Sequence, residues 1–263
     1  MHVFLSPHLD DAVLSCGGMI HQLTQRGKPV LIITVMAGDP PDPLPNTPLI
    51  RDLHQRWAVG TNPMPARRAE DSDAATLLGA TIEHLDFSDC PYRTDDNGTP
   101  LYPTNDDLFG DVHPDDPVLQ ATLPIPTHTT TLYAPLSAGG HVDHVVVCRL
   151  AQQLQVALLF YEEYPYSANS QEAIRISSGS GRQQHGTIAV DTARQRIAKP
   201  LSSFIIELDQ TNMQHKIDAI ACYTSQISTF WDNTPHMAER VRDYANTIAP
   251  MGAERLWKYK ETV

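Results

Sequence analysis

Residues 3–6 (Val-Phe-Leu-Ser) form a short apolar run, and residues 29–36 (PVLIITVM) a longer one rich in β-branched side chains. Such uninterrupted runs mark strands covered on both faces. Between them, Val13, Leu14, Ile20 and Leu23 recur at helical spacing over residues 11–27, with Gly27 as a stop, so an amphipathic helix is predicted. The Gly17-Gly18 pair weakens that helix locally and lets another chain segment approach closely. The alternation continues with a helix over 66–78 closed by Gly79, strands at 82–87, 131–135 and 157–161, and a helix over 142–154. Helices over 213–226 and 237–244 and a closing strand at 253–259 complete the reading. This rhythm predicts right-handed βαβ units, hence a Rossmann-like, three-layer α/β/α fold with a mostly parallel sheet. Sheets of this kind take ligands beyond the carboxyl ends of their strands. No linker divides the chain and no internal repeat is seen, so residues 1–263 read as a single domain.

The rhythm breaks in a few places. Residues 39–48 are a Pro-rich loop. Residues 86–116 hold nine Asp, four Pro and a single Arg with little periodicity, which reads as a solvated surface excursion in preference to a lid on the site. Within it, Asp95-Asp96-Asn97-Gly98 lacks the spaced ligands and closing Glu of a calcium loop and reads as an ordinary turn. Residues 177–186 (SSGSGRQQHG) are Ser/Gly-rich and are expected to be flexible. The excursions from the domain are placed at about 88–130 and 167–186.

Composition narrows the function. With 41% hydrophobic residues the chain builds a core, and disorder is excluded. Its net charge of −12, with no Lys/Arg cluster, argues against a nucleic-acid partner or an anionic membrane surface. No apolar run approaches the roughly 20 residues of a spanning helix, and no secretory signal opens the chain. Cys16, Cys90, Cys148 and Cys222 stand far apart without a Cys-x-x-Cys, as reduced thiols of a cytoplasmic protein do. A small-molecule substrate remains.

The chemistry gathers in two places. Ser6-Pro7-His8-Leu9-Asp10-Asp11 follows the first strand and opens the first helix, at the carboxyl edge of the sheet. An imidazole and a carboxylate there suit a metal ion, while the other Asp can accept a proton from water. Either Asp could instead cap the helix. Gly139-Gly140-His141-Val142-Asp143-His144 occupies the equivalent position after the strand at 131–135. Two histidines spaced i, i+3 share one helix face, and Asp143 between them can hold a ring N–H. His8, one Asp and one of the two histidines would complete a three-ligand site, leaving the other His for substrate. Spacing does not choose between Asp10 and Asp11, or between His141 and His144. Such ligands suit Zn2+, and also Fe2+ or Co2+. Cys148, four residues beyond His144, reads as a small buried hydrophobe.

Taken together, these motifs resemble the LmbE-like superfamily, also called the PIG-L superfamily, of zinc-dependent N-acetyl-sugar deacetylases. Arg67-x-x-Glu70 with Ala74 and Leu77-Leu78-Gly79 is similar to the family's second helix. The stretch from Phe160 to Tyr166, Lys216, Tyr223-Thr224-Ser225-Gln226 and Ala253-Glu254-Arg255 add to the likeness. The resemblance implies that His8, Asp11 and His144 bind zinc, and that Asp10 is the general base. It further implies that His141 faces the oxyanion, most effectively as an imidazolium, with Asp143 as its orienting partner. An Arg of the second helix would hold the substrate; Arg67 and Arg68 both stand at that place. The implied reaction is hydrolysis of an N-acetyl group on an N-acetylglucosamine-type amino sugar or its conjugate, by an enzyme whose relatives are often oligomeric. Competing readings are an amidase for another N-acyl substrate, such as a glycosylated natural product or sugar–thiol conjugate, and a non-catalytic metal- or ligand-binding module.

Overall fold

In the computed structural model, residues 1–57, 62–169 and 182–260 are described. Strand β1 (His2–Ser6) lies mid-sheet, paired in parallel with β2 (Val30–Thr34) and β4 (Thr131–Pro135). Its side chains alternate between two cores: Val3 and Leu5 join one with Leu31 and Ile33, whereas Phe4 joins the other with Ile32. Because both faces are covered, the strand sequence is apolar throughout. Strand β3 (Thr81–His84) extends the parallel sheet beyond β2, and β5 (Leu158–Tyr161) extends it beyond β4. Strand β6 (Leu201–Glu207) is an edge, and β7 (Ala253–Tyr259) runs antiparallel between β5 and β6, giving the order β3-β2-β1-β4-β5-β7-β6.

The helices among the described residues are α1 (Asp11–Gln25), α2 (Pro48–Trp57), α3 (Met64–Leu77), α4 (Asn105–Leu108), α5 (Val142–Gln152), α6 (Gly186–Arg196), α7 (Gln210–Ala221), α8 (Thr224–Phe230) and α9 (Thr234–Ile248). Helices α1, α3, α7 and α9 cover the Phe4 face; α5, α6 and the segment after β3 cover the other. No helix of the described residues is long and apolar enough to cross a membrane.

The three-layer α/β/α expectation holds, with local corrections. Strand β3 stops at His84, and Asp86 instead makes an isolated bridge to Met36. The helix expected over 213–226 is two helices, broken at Cys222–Tyr223, where the Tyr223 hydroxyl donates to Asp71 (2.6 Å). Helices α2 and α6 and strand β6 lie where no element was expected.

The largest correction concerns residues 86–116, which are not a solvated excursion. Cys90, Tyr92, Arg93, Tyr102 and Asp116 are all buried there. Asp95-Asp96-Asn97-Gly98 is the expected turn: the Asp95 carboxylate accepts from the N–H groups of Asn97 (2.9 Å) and Thr99 (2.8 Å). Of the Ser/Gly-rich stretch at 177–186, residues 177–181 lie outside the described residues. Cys148 is buried in the core, as expected.

The Gly17-Gly18 pair has the use its lack of side chains suggested. At that point in α1, Glu254 accepts from the N–H groups of Gly18 (3.0 Å) and Met19 (2.8 Å), and Lys216 donates to Ser15 O (3.2 Å) and to Glu254 (2.7 Å). A Cβ on Gly18 would lie 2.4 Å from Leu208 Cδ1, so a side chain there would drive the neighbouring segment away.

A candidate metal centre at the carboxyl edge of the sheet

The turn after β1 is set by its own side chains. Ser6 Oγ donates to His8 O (2.6 Å) and accepts from Ala12 N–H (3.0 Å), while His8 N–H donates to Asp11 Oδ2 (2.8 Å). These bonds hold Asp10 and Asp11 at the entry to α1. After β4 the chain turns through Ser137 (φ 68°), Gly139 (φ 80°) and Gly140 (φ 77°) before entering α5. Position 139 favours glycine strongly: besides its left-handed backbone, a Cβ there would lie 2.5 Å from Tyr166 Cδ1.

These two turns bring the predicted residues together. Ring nitrogens of His8, His141 and His144 lie within 4.8 Å of one another, all in buried positions. Asp11 Oδ2 sits 3.1 Å from His8 Nδ1 and 3.3 Å from His144 Nε2. His144 Nε2 is buried with no hydrogen-bond partner among the described residues, although that carboxylate oxygen is close. Nitrogen and oxygen held about 2.0–2.1 Å from one tetrahedral ion stand about 3.3 Å apart. The orphaned nitrogen and the spacing therefore fit two ligands aimed at a common divalent ion.

Both imidazoles are supported from behind. His8 Nε2 is 3.1 Å from Asp143 Oδ2 and 3.6 Å from Asp89 Oδ1. His144 Nδ1 is 3.3 Å from Glu163 Oε1, and the Glu163 carboxylate also accepts from Ser137 N–H (2.6 Å) and Ala138 N–H (3.1 Å). A carboxylate at the far nitrogen fixes which ring nitrogen keeps a lone pair for the metal.

The electrostatics point the same way. Burial would lower the His144 pKa, but the negative charge of Asp11 beside Nε2 and the Glu163 carboxylate at Nδ1 outweigh it and push the ring up to about 9. Burial would raise Asp11, yet the positive charge of His144 beside it and the bond from His8 hold it well below the usual carboxylate range. Asp10 moves the other way, raised by burial and then by the adjacent Asp11 charge. This concentration of buried carboxylates calls for positive charge at its centre.

Two expectations change at His141. Its Nδ1 accepts the N–H of Asp143 (3.3 Å), which places the ring proton on Nε2. The Asp143 carboxylate does not orient this ring; it is turned to His8 Nε2, to Cys90 N–H (3.0 Å) and to Arg93. Burial and then the charge on His8 push His141 down to about 3, and a ring that accepts at Nδ1 departs from the expected imidazolium.

The centre forms the floor of a cleft of about 790 Å3, counted to its open mouth. His8, Asp10, Asp11 and His141 line the floor, with Arg67 and Asp89 beside them. Leu53, Leu108, Phe109 and Phe230 give apolar walls. The adjacent arginines part company here. Arg67 is buried in the cleft lining, whereas Arg68 donates outside it to Ala37 O (2.7 Å) and Asp39 (2.9 Å). Glu70 serves α8, accepting from Thr224 Oγ1 (2.6 Å), Ser225 N–H (2.8 Å) and Ser225 Oγ (2.6 Å).

Comparison with known proteins now bears on the same residues. The family model described as PIG-L, GlcNAc-PI de-N-acetylase, matches residues 3–155, which include both turns. The chain belongs to the PIG-L family. Family and site together make it a metal-dependent hydrolase of the deacetylase kind. A curated relative, 2'-N-acetylparomamine deacetylase of Niallia circulans, is 30% identical over 186 residues, 62% of this chain and 66% of that protein. Among solved structures, the zinc-inhibited form of teicoplanin deacetylase Orf2 is similar with a TM-score of 0.70 at 22% identity, over 99% of this chain and 98% of that one. The pseudoaglycone deacetylase Dbv21 is similar to the same extent, with a TM-score of 0.70 at 24% identity and the same coverage. At those identities the structural likeness is one of fold.

Asp89, Glu163, Arg93 and Asp116 escaped sequence reasoning as site residues. Glu163 lay in a stretch recognised only by resemblance, and the other three lay in the segment read as solvated.

Proposed function

We propose that the chain is a zinc-dependent N-deacetylase acting on an N-acetylglucosamine-type sugar carried on a larger conjugate. The observation that carries this reading is Asp11 Oδ2 lying between His8 Nδ1 and His144 Nε2, on the floor of a cleft that also presents Asp10 and His141. His8, Asp11 and His144 would hold the zinc. Zinc bound there supplies Lewis acidity and lowers the pKa of water towards about 7. Asp10 takes the proton of the attacking water and returns it to the leaving amine, a role suited to a carboxylate whose proton affinity is raised by burial. His141 donates its Nε2–H to the developing oxyanion, an interaction typically worth about 3–4 kcal/mol. Arg67 binds the sugar. The products are acetate and the free amine.

A conjugate is favoured over a free monosaccharide by the apolar walls, which a bare sugar would leave wet. The names of the relatives, deacetylases of N-acetylparomamine, teicoplanin and a pseudoaglycone, support the same choice.

The test is metal content together with acetate release from N-acetylglucosamine, its apolar glycosides and 2'-N-acetylparomamine. Expected are near-stoichiometric zinc and release from the conjugates that a chelator abolishes and Zn2+ restores. Asp10→Asn should keep the metal and lose at least about 100-fold in turnover. Protein that takes up no metal from zinc-replete solution would overturn the proposal, and so would normal turnover by Asp10→Asn. Release from other N-acyl compounds alone would move the substrate to the amidase reading.

A further inference from the structure

Arg93 stands behind the candidate ligands and not among them. It is 5% exposed, in the segment that sequence assigned to solvent. Its Nη2 contacts two buried carboxylates at once, Asp143 Oδ1 and Asp116 Oδ2 (2.9 Å). Asp116 is fixed in turn by the Tyr102 hydroxyl (2.7 Å) and by Val118 N–H (3.0 Å). The other oxygen of Asp143 faces His8 Nε2 (3.1 Å) and Cys90 N–H (3.0 Å).

We propose that Arg93 is a positioning residue of the metal centre: through Asp143 it fixes the orientation and tautomer of His8. This rests on reading His8, Asp11 and His144 as metal ligands. Two carboxylates converge on His8 Nε2, Asp143 at 3.1 Å and Asp89 at 3.6 Å. Asp143 carries the guanidinium on its far side, which pins its carboxylate plane and with it the ring that donates to it. An acceptor held at Nε2 keeps the proton there and leaves the Nδ1 lone pair facing Asp11. The contact with Asp116 stays within residues 86–116, whereas the contact with Asp143 leaves the segment and carries the influence of Arg93 on to His8. Both carboxylates meet the one nitrogen Nη2 while Nη1 donates to Ser88 O (3.1 Å), so an ammonium in its place would keep the ion pairs and lose the second donor that holds the group in place.

The experiment compares wild type, Arg93→Met, Arg93→Lys and Tyr102→Phe as purified proteins. Zinc affinity is read by chelator competition, and ligand geometry by the visible spectrum of the Co2+-loaded protein. Arg93→Met should bind zinc about 10–100-fold more weakly, with altered cobalt bands. Arg93→Lys should recover to within about tenfold of wild type, with bands close to wild type. Tyr102→Phe loosens the Asp116 end alone and should leave affinity and spectrum unchanged. Wild-type affinity and bands in Arg93→Met would overturn the proposal even if its melting temperature fell, and so would an equal loss of affinity in Tyr102→Phe. Should Arg93→Met fail to fold, Arg93→Gln, which keeps donors without charge, takes its place with the same expectations. A wild-type protein that binds no metal would defeat the functional reading itself, a different result from wild type and variant binding equally well.

Discussion

Glu163→Gln isolates the support behind the second histidine. The wild-type carboxylate accepts from Ser137 N–H and Ala138 N–H and faces His144 Nδ1, all in buried surroundings. The amide is nearly isosteric but has a single acceptor atom. With its oxygen at the Oε1 position, it keeps Ser137 and His144 and turns an NH2 towards Ala138 N–H, donor against donor. Flipped, it loses two partners in place of one. An unmade buried hydrogen bond costs about 1–3 kcal/mol, and loss of charge assistance on the remaining bonds about 1 kcal/mol more. Urea denaturation of the metal-free protein should therefore show a loss of about 2–4 kcal/mol. Zinc affinity should drop about 10–100-fold, because His144 loses the charge that raises its basicity. Glu162→Gln is the control: that carboxylate accepts from Trp257 Nε1 (2.8 Å) and pairs with Arg255 (3.4 Å), so zinc affinity should not change. A Glu163→Gln protein within about 1 kcal/mol of wild type and with undiminished zinc affinity would refute the reasoning.

Further outcomes follow from single positions. Gly139→Ala should lose about 2–3 kcal/mol in calorimetry, since the left-handed backbone alone costs about 1–2 kcal/mol and Tyr166 must also move. Gly98→Ala, at the same φ of 80° but with nothing within 4 Å, should lose only the backbone part. Lys216→Met strands the Glu254 carboxylate inside the core and should cost about 3–5 kcal/mol by chemical denaturation. His141→Ala should keep its zinc and lose about 100–1000-fold in kcat; loss of the metal in that variant would make His141 a ligand.

How much of this was legible in the sequence depended on whether the cause was local. Strands β1, β4 and β7 and helices α1 and α5 announce themselves because their apolar positions face cores on a regular period. The two turns that gather His8, Asp10, Asp11, His141 and His144 were legible because each packs its chemistry into a few consecutive residues. Strand β6 (LSSFIIE) was missed because its exposed face, with Ser203 and Glu207, breaks the apolar run. Helix α6 was missed because Ala189, Val190 and Ala193 give it only a narrow buried stripe. Arg93 and Asp116 were misjudged for a different reason. A segment so rich in aspartate looks solvated until one knows that its charges meet partners distant in sequence, such as Asp143.

The position of β7 inside the sheet has a consequence for the order in which the fold can be made. Strand β5 ends at residue 161 and its neighbour on the β6 side, β7, begins only at residue 253, so about ninety residues must leave the ribosome between the two. At about 5–20 residues per second that is a delay of roughly 5–20 s. Until then β5 is a bare edge and β6, whose partner among the described residues is β7, has nothing to join. Glu254 arrives with β7 to meet Lys216 and α1. The parallel half of the sheet can thus form early, but closure of the core beside Glu163 waits for residues 253–259. Cutting the chain before residue 253 would remove an interior strand and leave two unsatisfied edges, a form prone to pair with other chains.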